Sequence, residues 1–175
     1  ESADRVVSKV CASTDDIEWR QVGALDSEGR AAVYHGRRMY SIYAHTVGRN
    51  CLALGNILAN PEVPQRMAEA FTREPDLPLA EKLTRALEAG RDAGGEILGP
   101  LRSAALKVSG DYKIDTYDLR IDISDEDAVA DLRGLYEAYK DREETIRNVA
   151  LRPDTMPIMR NLFEASIARI SELGL

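Results

Sequence analysis

The sequence predicts an α+β fold, layered, with mostly antiparallel sheets and a helical extension at the C-terminus. Extended runs and helical patterns fall in blocks, in the order helix, several strands, two helices, two strands, two helices. Blocks of that kind build α+β layers and not a doubly wound parallel sheet. Turn signals between the extended runs are close enough to make hairpins. A chain of 175 residues with 44% apolar and 30% charged residues describes a globular domain with its own core.

The first helix is expected from Ser2 onward, with Val6, Val7 and Val10 on one stripe. Residues 20–26 and 30–35 are extended runs joined by Ser27-Glu28-Gly29, a loop whose last residue suits the left-handed position that closes a hairpin. Residues 40–44 and 50–58, rich in aromatic and aliphatic side chains, are the next strand candidates. Asn60 then reads as the cap of a helix with Pro61 at its first position, running to about Thr72. Another helix begins near Pro78, sets Leu79, Leu83 and Leu87 on one face and ends at Gly94-Gly95.

Residues 101–108 and 117–123 are strands around a turn at Ser109-Gly110-Asp111. Ser124, followed by three acids, reads as a helix start, with Val129, Leu132, Leu135, Tyr136 and Tyr139 on the buried face. Residues 153–157 form a linker, and the last helix carries Met159, Leu162, Phe163, Ile167 and Ile170 at spacings of three and four. The organisation expected is a domain over 1–152 and an amphipathic helix over 153–175 that docks on its own domain or on a second copy.

Thirty acidic against 23 basic residues give a net charge of −7, which repels a phosphate backbone and argues against nucleic acid as a partner. No apolar run nears the roughly 20 residues that cross a bilayer, so no membrane is expected either. Cys11 and Cys51 lie far apart without a disulfide or zinc-knuckle pattern, which points to a reducing, cytoplasmic setting. His35 and His45 lack metal-ligand spacing, and Gly94 to Gly99 lack the Lys-Ser/Thr of a phosphate loop. No Gly-x-Ser-x-Gly elbow occurs. No metal and no cofactor are expected.

The remaining candidates sit where strands end. Asn56, at the end of an apolar run, offers a neutral amide that could donate to an oxyanion; the alternative is a turn residue bonded to local backbone. Ser103, beside Arg102, could touch substrate or satisfy a neighbouring carbonyl. Asp118, Arg120 and Asp122 alternate with aliphatic residues, the pattern of a solvated strand face unless a ligand or partner meets it. Cys51 reads as inert packing.

Several segments then occur in a telling order: Arg20-Gln21-Val22-Gly23-Ala24-Leu25-Asp26, Gly55-Asn56-Ile57-Leu58-Ala59, Met67-Ala68-Glu69-Ala70-Phe71, Leu79-Ala80-Glu81 through Gly94-Gly95, Ser103-Ala104-Ala105-Leu106, and Asp118-Leu119-Arg120-Ile121-Asp122. Over roughly residues 5–140 the chain resembles a bacterial and archaeal family without assigned function that is placed in the N-terminal-nucleophile (Ntn) hydrolase superfamily. The resemblance implies a four-layer α-β-β-α sandwich. It also implies cleavage of an amide by a Thr, Ser or Cys at a mature N-terminus, with the α-amine as base.

Glu1 has no nucleophilic side chain, so the nucleophile is expected on a companion N-terminal segment or small subunit, in a homo- or hetero-oligomer acting on a small-molecule amide. On that reading Asn56, Ser103 and Glu96 form the catalytic set, and Arg102, Arg120, Asp118 and Asp122 bind substrate. Two departures stand out: Glu96 replaces the family's Asp after the paired glycines, with Leu98 at its Arg place, and Ile123-Ser124 stand where a His follows the later strand. The rival expectation is a non-catalytic ligand-binding or assembly subunit.

Overall fold

A computed structural model describes residues 1–110, 115–155 and 157–175, apart from the side chains of 157–159. Helix α1 (Ala3–Ala12) and a 3-10 turn (Ile17–Trp19) precede two hairpins, β1 (Gln21–Leu25) with β2 (Ala31–His35) and β3 (Ala44–Gly48) with β4 (Cys51–Gly55). Helices α2 (Val63–Arg73) and α3 (Leu79–Asp92) follow, then a third hairpin, β5 (Ala104–Ser109) with β6 (Asp115–Ile121), and helices α4 (Ala128–Leu151) and α5 (Pro157–Leu173). All three described sheets are two-stranded and antiparallel, in agreement with the α+β expectation. The chain divides into two compact bodies, Glu1–Arg133 and Gly134–Leu175.

The first body is layered. Helix α1 lies on β1 and β2, β1 lies against β4, and α2 covers β3 and β4 on their other side, with α3 beside it. The absence of a side chain at Gly23 permits the approach of β1 to β4: a Cβ there would stand 2.8 Å from Leu52 Cδ2 and 3.1 Å from Leu54 Cδ1. The first turn forms as the sequence predicts. Gly29 takes φ +76, and both Glu28 N–H and Arg30 N–H donate to Asp26 Oδ1 at 3.0 Å. Burial works to raise the pKa of Asp26, but these backbone bonds and the Arg30 side chain outweigh it and hold the carboxyl at about 2.

Several elements differ from their sequence reading. Residues 40–43 form a loop, not a strand, in which Ser41 N–H donates to Met39 O at 2.8 Å and Tyr40 is 85% exposed, and of the expected run Ala44 alone enters the sheet. The strand is β3, four residues later, because the hairpin closes at Gly48↔Cys51 around a two-residue turn with Asn50 at φ 54, a conformation Asn tolerates better than most residues. Residues 101–103 turn away from the β5 ladder; Leu101 O and Arg102 O accept from Ala128 N and Ser124 N instead. Asn60 does not begin a helix at Pro61. Its Oδ1 accepts Glu62 N–H at 2.9 Å and its Nδ2 donates to Ala93 O at 2.8 Å, so it ties α2's approach to α3's end.

Asp127, not Ser124, caps α4 by accepting from Val129 N and Ala130 N, while Ser124 Oγ donates to Asp131. On α3 the deeply buried residues are Ala80, Thr84, Ala86 and Gly90, small side chains that let α2 approach until a Cβ on Gly90 would meet Met67 Cγ at 2.8 Å. Leu83 and Leu87 of the predicted leucine face line an apolar groove of about 480 Å³ with Leu25, Leu52, Met67 and Phe71. Leu106, Val129 and Leu132 complete the core of this body.

The second body holds most of α4, a 3-10 turn (Pro153–Thr155) and α5. Leu162, Phe163, Ile167 and Ile170 form the predicted stripe on α5 and are 48–69% exposed; Met159 and the turn residue Asp111 lie outside the described side chains. Among the described residues no helix is long and apolar enough to cross a membrane.

Candidate functional site

The ends of β1, β2, β3 and β4 bring polar side chains together. Register places Gln21 opposite His35 and Ala44 opposite Gly55. The close approach of β1 to β4 then joins the two hairpins through one carboxamide. Gln21 Nε2 donates to Gly55 O at 2.9 Å, with a longer contact to Ala44 O at 3.4 Å, and lies 3.2 Å from His35 Nδ1. Gln21 Oε1 accepts from Asn56 Nδ2 at 3.2 Å.

These contacts fix the network's direction. Turning the Gln21 amide would set its oxygen against the oxygen of Gly55, so Nε2 is the atom that faces Gly55 O and His35 Nδ1 accepts from it. His35 Nε2 therefore carries the hydrogen and faces His45 Nδ1 at 2.9 Å. Tyr43 stacks on His35 with ring centroids 4.8 Å apart. Burial, followed by repulsion from His45, pushes the His35 pKa down, which favours the neutral ring that this pattern needs.

The backbone beside Asn56 is strained. Ile57 has φ 55, a conformation rare for a β-branched side chain. It is held on both sides: Ile57 N–H donates to Ser41 Oγ at 3.2 Å, and Ile57 O accepts from Ile97 N at 2.9 Å. An isolated bridge between Leu58 and Glu96 continues this lacing and sets Glu96 beside the Asn56 turn.

The other sequence candidates fall into two groups. Glu96, Arg102 and Ser103 line one hollow of about 350 Å³ with Leu101 and Asp125. Arg102 Nη1 donates to Ser124 O at 3.0 Å there. Arg120, Asp118 and Asp122 are not among that hollow's lining residues; Asp118 and Arg120 lie on the exposed face of β6 and Asp122 just past its end, where Arg120 Nη2 reaches both Asp122 oxygens at 2.7 and 2.9 Å and Lys107 reaches Asp118 at 3.7 Å. Among the described residues no group of three or more His, Cys, Asp or Glu is placed to hold a metal ion. Sequence reasoning missed Gln21, His35, His45 and Ser41. The signal for the first two was present, since a hairpin closing over 26–30 sets Gln21 against His35 by counting alone.

Comparison with known proteins adds a frame without an activity. The model of a family of unknown function, DUF1028, matches residues 1–132. A crystal structure of a protein from Silicibacter pomeroyi, described under the same family model, is similar at 28% identity with a TM-score of 0.70. The match covers 79% of this chain but only 60% of that one, so the chain spans less than two thirds of its solved relative. No curated protein matches. Every candidate residue above lies inside the matched segment.

Proposed function

This chain belongs to the DUF1028 family of unknown function, and from that premise we propose that it supplies most of an amide-hydrolysing site of Ntn type. The observation that carries the reading is the carboxamide of Asn56, a neutral donor held at a strand end by Gln21 and flanked by the strained Ile57. A pre-oriented neutral donor stabilises a developing oxyanion without the repulsion a carboxylate would add. The order of α1, the β1–β2 hairpin, the β3–β4 hairpin and α2 with α3 supports an α-β-β-α sandwich of the Ntn kind.

In this reading a hydroxyl or thiol at the N-terminus of a companion segment attacks the amide carbonyl, and its α-amine takes the proton. The Asn56 carboxamide holds the negative oxygen. The C–N bond breaks as the nitrogen is protonated, and water then hydrolyses the acyl intermediate. Glu96 and Ser103 orient substrate or water in the adjoining hollow, and Arg102 receives an anionic substrate group. The test is turnover of small linear and cyclic amides by the chain together with its companion segment, followed by loss of turnover in Asn56→Ala.

A second reading has its own support. The apolar groove of about 480 Å³ and the exposed stripe on α5 are surfaces a ligand-binding or assembly subunit would use. Binding of apolar ligands without any turnover would favour it.

A further inference from the structure

We propose that Gln21 and His35 are positioning residues, forming with His45 a neutral one-way hydrogen-bond chain that orients Asn56 and that opens when the histidine pair takes up a proton. Donors and acceptors fix the state of this chain. His35 Nδ1 accepts from Gln21 Nε2 at 3.2 Å, and His35 Nε2 faces His45 Nδ1 at 2.9 Å. Each imidazole then uses one acceptor and keeps one N–H, so the chain has room for no further proton.

A proton on His45 Nδ1 removes the acceptor of His35 Nε2–H. A proton on His35 Nδ1 sets two donors against each other at 3.2 Å. Rotating the Gln21 amide does not relieve the second conflict: its oxygen would meet the oxygen of Gly55, now 2.9 Å from Nε2, and its nitrogen would meet the donor Nδ2 of Asn56. Turning the amide therefore breaks its bond to Asn56, and leaving it unturned drives Gln21 away from the protonated His35, so either response shifts the group that orients Asn56.

The charged surroundings do not offset this. On the loop before β3, Tyr43 stacks on His35; from β3 only His45 faces it as a titrating group. The 3-10 turn and the loop after β2 bring Glu18, Arg37 and Arg38, with Glu18 occupied by Tyr34 Oη at 3.2 Å and Arg37 N–H at 2.9 Å. From β1 comes uncharged Gln21, with Arg20 preceding it, and from the end of β4 uncharged Asn56. The depressed pKa of His35, from burial and then from His45, agrees with a proton that the network resists.

Only the consequence for turnover rests on the proposed function; the proton-linked chain is a property of the folded protein. The experiment is a titration of the isotope-labelled chain by nitrogen-resolved NMR, reading both imidazoles and the Asn56 side-chain amide, assigned by its disappearance in Asn56→Ala. Expected near neutral pH is the Nε2–H tautomer for both rings. On acidification the Asn56 amide resonances should move with the His35 midpoint, below 6.5. In His45→Ala, a change at an exposed position, the repulsion is gone and both midpoints should rise together. An Nδ1–H tautomer of His35 at neutral pH, or Asn56 resonances that stay flat through the His35 titration, overturns the proposal. Neither result requires a substrate, so a failure to find amide turnover is separable from a failure of the switch.

Discussion

Asn56, at the end of β4, donates to Gln21, at the start of β1, at 3.2 Å across 35 residues of chain. That bond joins two hairpins that share no ladder. It makes the orientation of Asn56 depend on a residue of another sheet, whose own amide is anchored to Gly55 O at 2.9 Å.

Gln21→Leu should therefore act on both the site and the fold. It removes the Gln21 donor to Gly55 O and the acceptor of Asn56, and the loss of such side-chain hydrogen bonds costs about 1 kcal/mol. Urea unfolding should show a loss of that order, and the Asn56 side-chain amide should lose its distinct environment. A variant as stable as the parent would show that water replaces Gln21 without loss.

Ile57→Gly should leave stability unchanged or raise it by about 1 kcal/mol. Glycine adopts φ 55 without steric conflict, and Ile57 is 43% exposed, so the burial lost with its side chain is partial and the strain relieved offsets it. Thermal melts of the two proteins decide this. A clear drop would mean that the side chain contributes packing that outweighs the strain.

Arg133, at the start of α4, pairs with two carboxylates of α3. Its guanidinium reaches Glu88 at 2.7 and 2.9 Å and Glu81 at 2.7 Å, with 20% of its side chain exposed. Hydrogen bonds to Glu88 and then Glu81 raise its pKa against the effect of burial. Arg133→Met leaves two half-buried carboxylates facing the lost cation, and about 3 kcal/mol of stability should go with it. Part of that loss should return in the double variant with Glu88→Gln, which a denaturant titration of both proteins checks.

Stability should fall as pH drops from 7 to 5. The folded chain holds the His35 pKa below the ordinary 6.5, so the unfolded chain binds that proton first. The contribution of the neutral network is present above about 6.5 and decays as pH falls from there through the folded-state value. Glu81 acts in a lower window: burial raises its pKa, bonds from Arg133 and Arg85 outweigh that, and its contribution is lost only below the ordinary 4.5. Melting temperatures measured at constant ionic strength should decline more between pH 7 and 5 for the parent than for His35→Gln. Equal slopes would remove His35 from the account.

Much of the architecture was legible. The loop Ser27-Glu28-Gly29 fixed the first hairpin, and with it the opposition of Gln21 and His35, because antiparallel register follows from loop length. The second hairpin was not legible. The run Tyr40-Ser41-Ile42-Tyr43 has the composition of a strand but is used to hold the Asn56 turn, through Ser41 Oγ and Ile42 O, so the position of His45 was hidden. The histidine pair is a tertiary feature that depends on the space left by Gly23. Likewise the leucines of α3 mask a buried face of small residues chosen by the approach of α2. Asn56 was found from strand-end position and amide chemistry, but its partner Gln21 lies on a different hairpin.

The proposed catalytic role depends on the Asn56 carboxamide acting as an oxyanion donor. It is tested by kcat for a hydrolysed amide, measured for Asn56→Ala with the proposed companion segment present, alongside the melting temperature. The kcat should fall by about 10²-fold, the loss expected for one such donor, with KM and melting temperature little changed because the side chain is exposed. An unchanged kcat with a lowered melting temperature would contradict it and make Asn56 a turn residue that ties β4 to β1.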